Sequence, residues 1–270
     1  MPRDICADIV FGRKSSNPVM YRLTCEERHE WKHDSDLIVE ILDEHPPRRL
    51  GGDKWADDQG VGDINRGQLY HAVMTYYPVP GLEPPDPVDV AVKWVRGKRA
   101  IVSLRREAEM YEGPLIPLQG QVVPIFGGLF TTTTRDGFDI GCLILEWCPG
   151  NDHTTFGKPT EDELRLRENA VRQLHAVGVH HGQLFERDEG LCLSDGRHFL
   201  RAADGTLRIV DFQRAFMHRC VDKDTDLDST NETDDDSADL ERICDELLRA
   251  IEHYHRALEG ELRTTPWNTF

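Results

Sequence analysis

The sequence predicts an α+β protein in two lobes, the first rich in strands with one helix, the second reduced and mostly helical. Three observations carry this. Alternating, β-branched runs are concentrated before residue 148, and a helical period of 3.6 interrupts them over 100–112. After Pro149-Gly150 the helical period returns over 161–177 and again towards 258. The division this implies is an amino-terminal extension over 1–45, a first lobe over 46–147 and a truncated second lobe over 148–270.

Residues Asp36–Leu42 fit either a helix capped by Ser35-Asp36 or a strand, because the segment is β-branched; Pro46-Pro47 ends it. The rest of the first forty or so residues gives no clear period. Leu50 to Gly67 is rich in Gly and Asp and reads as a loop. Strands are expected over Gln68–Tyr77 and Val88–Val95, joined across the proline-rich surface segment Pro78–Pro87. The helix over 100–112 places Ile101, Leu104, Ala108 and Tyr111 on one face. Strands follow around Gln121–Phe130 and Gly141–Trp147.

In the second lobe, the helix from Glu161 to Val177 offers Leu164, Ala170, Val171 and Leu174 as its apolar stripe. Short strands are expected at Gly190–Leu193, Phe199–Arg201 and Leu207–Val210, the last two joined by the turn Ala203-Asp204-Gly205-Thr206. The run 222–236 is acidic and almost without apolar residues, so it cannot build a core, and it lacks the glycine and closing glutamate of an EF-hand. A last helix is expected from Ser237 to Leu258, with Leu240, Ile243, Leu247 and Ile251 facing inward.

Composition narrows the function. Forty-nine acidic against 32 basic residues give a formal charge of −17, which repels nucleic acid and anionic membrane surfaces. Arg96 to Arg99 with Arg105-Arg106 is the densest basic patch. No apolar run resembles a signal peptide or approaches the ~20 residues of a membrane span, so a cytoplasmic or nuclear location is expected. The seven cysteines (Cys6, Cys25, Cys142, Cys148, Cys192, Cys220, Cys244) form no CxxC pair, which favours thiols over zinc or disulfides.

Five segments carry chemistry. They are Val90-Ala91-Val92-Lys93; Arg106-Glu107-Ala108-Glu109 with Pro117-Leu118-Gln119-Gly120; Leu143 to Gly150; Leu174 to Leu184 containing His180-His181-Gly182-Gln183; and Ile209-Val210-Asp211-Phe212-Gln213. In this order, over residues 50 to 258, they resemble the protein-kinase superfamily, most closely the divergent fungal kinase-like proteins and the aminoglycoside-phosphotransferase style of the fold.

The resemblance implies ATP and Mg2+ as ligands. It makes Lys93 the contact to the nucleotide phosphates, Glu107 the glutamate that holds it (with Glu109 as the other candidate) and Asp211 the carboxylate that takes magnesium. It makes Leu145 the residue guarding the base pocket, with Glu146 and Cys148 offering backbone groups to the adenine. Gln183 falls where the catalytic aspartate belongs, and an amide cannot accept a proton at neutral pH. His198 falls at the second metal-ligand position when counted back from Asp211; counted forward from Gln183 that position is Asp188, because about ten extra residues intervene. Asp188 and Asp195 are the available substitute bases. Gly60 and Gly62, or Gly51-Gly52, stand for the phosphate-cradling glycine loop. Metal binding by the neighbouring His180 and His181 competes poorly, since neighbours on a strand face opposite ways.

Three functions follow from the resemblance. One is a phosphotransferase with a non-standard catalytic loop, acting on a protein or small molecule. The second is a catalytically impaired binding or scaffold module. The third is a kinase-fold nucleotidyl transferase.

Overall fold

A computed structural model describes residues 5–27, 35–42, 48–49, 67–78, 81, 83, 85–150, 160–188, 191–194, 198–218 and 245–258. They divide into two units, Met1–Gly113 with Pro124–Cys148, and Pro114–Val123 with Pro149–Phe270. The glycine loop around Gly60 and Gly62, the acidic run 222–236 and the cap at Ser237 lie outside the described residues.

Nearly every strand of the first unit carries apolar residues at alternate positions, and side chains on a strand alternate between faces. Its elements are β1 (Cys6–Phe11), β2 (Val19–Glu27), β3 (Leu37–Ile41), β4 (Arg48–Arg49), β5 (Gln68–Tyr76), β6 (Val88–Arg96), α1 (Lys98–Glu112), β7 (Phe126–Thr133) and β8 (Asp139–Glu146). Hydrogen bonds run in the order β3-β1-β2-β7-β8-β6-β5, and β3 pairs with β5, which closes the seven strands into a barrel. Residues expected as an amino-terminal extension thus supply three of its staves. The ambiguous Asp36–Leu42 is a strand, since both of its neighbours are strands that pair with it.

Ile9, Leu23, Val39, Val92, Trp94 and Ile144 are among the residues packed inside the barrel, each buried apolar side chain worth ~1.5–3 kcal/mol relative to exposure. Period two then sends Ala91, Lys93 and Val95 outward. α1 covers that outer face. It buries Ile101, Leu104, Ala108 and Tyr111, as its periodicity predicts, and with them Met110 and Glu107. The helix lies so close to β8 that a Cβ on Gly141 would sit 3.0 Å from Ile101 and 3.3 Å from Leu104. A larger residue there would have to push these side chains aside.

Asp8 of β1 and Asp36, just before β3, are both buried. Arg22 bridges them at 2.9 and 2.6 Å, and the Tyr77 hydroxyl donates to Asp8. The strand expected from Gln121 starts only at Phe126. Pro124 breaks the run, and the Val122 and Val123 N–H groups turn back to the Leu118 carbonyl.

The second unit contains α2 (Glu161–Ala176), β9 (Val179–His180), β10 (Phe185–Asp188), β11 (Leu191–Ser194), β12 (Phe199–Arg201), β13 (Leu207–Ile209), β14 (Phe216–Met217) and α3 (Asp245–Leu258). Thr160 and Glu163 form a reciprocal capping box that starts α2. α2 packs on α3, the predicted Leu164, Ala170, Val171 and Leu174 of α2 are buried, and so is Leu247 on α3. The extra residues between Gln183 and His198 include a hairpin, β10 paired with β11. The loop Pro114–Val123 is tied into this unit. Ile209 N–H donates to the Val122 carbonyl at 2.7 Å, and the buried Arg208 donates to the Gln121 carbonyl at 3.0 Å. Among the described residues no helix is long and apolar enough to cross a membrane.

Candidate functional site

Lys93 lies in β6 between Leu69 of β5 and Leu143 of β8, on the outer face beneath α1. Its Nζ donates to Glu107 Oε2 at 2.7 Å, and both side chains are almost wholly buried, at 4% and 0% exposure. Glu109 is exposed on the same helix. Burying both charges costs desolvation of each, which their close attraction offsets in part.

Leu145 is buried at the end of β8. The Glu146 N–H is engaged by the Ile125 carbonyl at 2.8 Å, and its carboxylate accepts the Ile125 N–H at 3.1 Å. The Glu146 N–H is thus committed to Ile125, and the Cys148 thiol lies 3.9 Å from the Glu146 carbonyl oxygen. Beside them is a feature that no local pattern announces. The His71 ring stacks flat on Trp147, with centroids 4.1 Å apart and planes 5° apart, and its Nε2 lies 2.8 Å from Asp89 Oδ1.

In the second unit the His-Gly segment is anchored from α3. Glu246 accepts the His181 N–H and the Gly182 N–H, both at 2.8 Å, and its Oε2 also lies 3.0 Å from His175 Nε2. Gly182 has φ 82°, and a Cβ there would meet the Arg214 carbonyl oxygen at 2.9 Å, which requires glycine at this place in the loop. Burial raises the Glu246 carboxyl, but the hydrogen bond from His175, the charge of His180 and the backbone N–H of His181 outweigh it and bring it down to about 2. His175 Nδ1 meets His218 Nε2 at 3.1 Å, and His180 stacks on Phe216.

The two neighbouring histidines do point apart. His180 lies by Phe216 and Glu246, whereas His181 is wholly buried, its Nε2 donating to the Val210 carbonyl at 3.0 Å. His198 reaches the same carbonyl through Nδ1 at 3.2 Å, and the two rings meet edge to face at 4.9 Å. Phe212 closes on His181 at 4.9 Å. Asp211 adopts φ 72°, ψ 67°, the one left-handed residue other than glycine among those described. Such a conformation costs of order 1–3 kcal/mol and collects at functional positions. Gln183 is half-buried; Asp188 ends β10, and Asp195 lies outside the described residues. Among the described residues no three His, Cys, Asp or Glu side chains converge as a metal cage.

Burial, and next the neighbouring His198, push the His181 imidazole down to about 4, so the folded chain holds it neutral. The unfolded chain takes up that proton near 6.5, which means the unfolded state binds more protons between 6.5 and 4. Stability is therefore complete above about 6.5 and falls by about 3 kcal/mol towards pH 4. Glu246 adds a second loss as pH drops from 4.5 towards 2. Urea midpoints measured from pH 7.5 to 4 should fall steeply in the native chain and much less in His181→Asn. Equal slopes would exclude His181 as the cause.

Comparison with protein-family models and with curated proteins finds no match.

Proposed function

We propose that the chain is a nucleotide-binding, kinase-like phosphotransferase with a non-standard catalytic loop. The buried pair Lys93–Glu107 carries this reading. A strand lysine locked to a helix glutamate 14 residues later is expensive as mere structure, and it is the arrangement that holds an ammonium ready for phosphate. Lys93 contacts the nucleotide phosphates. The Asp211 carboxylate and the His198 ring serve a divalent cation; a hard carboxylate and an imidazole held on a carbonyl both suit a cation ligand. A bound cation supplies charge neutralisation to the phosphates. Glu246 positions the loop bearing Gln183 through the two backbone N–H groups it accepts.

A second reading, a catalytically impaired binding module, is favoured by Gln183, since losing a general base costs on the order of 10²–10⁴ in rate. A ligand that binds only the folded chain stabilises it by about 2.7 kcal/mol at a hundredfold over its dissociation constant. ATP with a divalent cation should raise the melting temperature of the native chain and leave Asp211→Asn unmoved. No rise with any nucleotide and cation would sink the phosphotransferase reading and favour a scaffold module. Given binding, phosphorus NMR of the bound ATP separates them, because turnover produces ADP and a binding module leaves ATP intact.

A further inference from the structure

The densest basic patch of the sequence has no part in the nucleotide reading, and α1 gathers most of it onto one face. Val102 lies on the outer side of this helix, 45% exposed. On an α-helix the side chains that border a residue stand three and four positions before and after it. For Val102 these are Lys98, Arg99, Arg105 and Arg106, all of them basic. We propose that this face docks a short acidic segment of a partner protein, one that carries an apolar side chain between its carboxylates.

The helix does not need these charges for its own stability. Lys98 and Arg99 stand in the first turn, where the peptide dipoles favour acidic side chains, and no acidic residue is there. Arg105 gives two hydrogen bonds to Glu26 of β2, at 2.6 and 2.7 Å, so one carboxylate already sits on this basic ring. Lys98, Arg99 and Arg106 are exposed and join no ion pair among the described residues. Glu109 is the exposed carboxylate of the same helix, and it stands about two turns beyond Val102. Three unpaired cations therefore border one apolar side chain, in a chain whose formal charge is −17. The net charge repels an acidic partner and this face attracts it, so the charge pattern also selects where such a partner lands.

The dimensions define the occupant. Lys98 to Arg106 spans about 12 Å along the helix axis. An extended chain covers that distance in about four residues. This leaves room for one apolar residue with carboxylates on either side of it. Arginine takes a carboxylate through two parallel N–H bonds, which fixes orientation as well as charge. Val102 gives the apolar residue a seat that a simple polyanion has no group to fill. A face of this size makes a weak, reversible contact.

The test titrates the full chain into two labelled synthetic peptides of equal negative charge, read by fluorescence anisotropy. One carries a leucine between its glutamates and the other a serine at that place. The leucine peptide should bind about fivefold or more tightly than the serine peptide, and Val102→Ser should erase that preference. Arg99→Glu/Arg106→Glu should weaken both peptides tenfold or more. These side chains are exposed, so melting temperatures should stay close to that of the native chain. Equal affinity of the native chain for the two peptides overturns the inference, and so does binding that survives the charge reversal. Tighter binding of polyuridylic acid or of phosphatidylserine vesicles than of either peptide also overturns it, by making the face a polyanion site. Self-association of the native chain that the charge reversal abolishes, read by sedimentation, would make a second copy the occupant and overturn the foreign partner.

Discussion

Glu107→Ala is expected to cost the chain about 3–5 kcal/mol, because it strands the Lys93 ammonium beneath α1 with its counter-charge gone. Lys93→Met should cost a comparable amount by leaving the carboxylate behind. The informative experiment is the cycle. A Lys93→Met/Glu107→Leu chain, with both charges replaced by apolar groups, should be more stable than either single variant, since buried pairs barely repay their desolvation. Urea unfolding reads all four chains. Strict additivity of the two single losses would show that the charges are not coupled. The double variant also separates fold from function: it should fold, yet ATP with a divalent cation should no longer raise its melting temperature.

Glu246→Ala is expected to be almost as damaging for a different reason. One carboxylate accepts two backbone N–H groups at 2.8 Å and faces His175 at 3.0 Å, so its loss leaves buried donors unmatched, each at about 1–3 kcal/mol. Hydrogen exchange locates the effect. The His181 and Gly182 amides should exchange much faster in the variant, while amides in the barrel strands, such as that of Val92, keep their protection. Unchanged exchange at 181 and 182 would mean that the loop is held by something other than Glu246.

What the sequence disclosed follows how far apart the partners lie along the chain. β5, β6, α1 and α2 were legible because their signals are local: alternation along the strands and an apolar stripe along each helix. Lys93 and Glu107 were reached through the resemblance of their motifs to the protein-kinase superfamily and not through any local period; the structure pairs the two side chains across 14 residues. Glu246 was not, since its partners His175, His181 and Gly182 lie 64 to 71 residues away and nothing near it in the chain announces them. β1 and β2 gave no clear period, and the partners of the buried Asp8, Arg22 and the distant Tyr77, lie 14 and 69 residues away. The contact of His71 with Trp147 follows from strand pairing, His71 lying opposite Ala91 and Ala91 opposite Leu145. No local pattern in the sequence specifies that register.

The barrel's ring of pairings has a practical corollary for anyone trimming the chain. Cutting away residues 1–42 would strip β7 of β2 and β5 of β3. Two ladders of unanswered N–H and C=O groups would then face water, with Met74 and Phe130 uncovered beside them. Exposed rims of that kind recruit other strands, so the shortened chain should self-associate more than the full one. The first three strands act as a chaperone built into the chain, shielding sticky borders that the rest of the sheet cannot protect by itself.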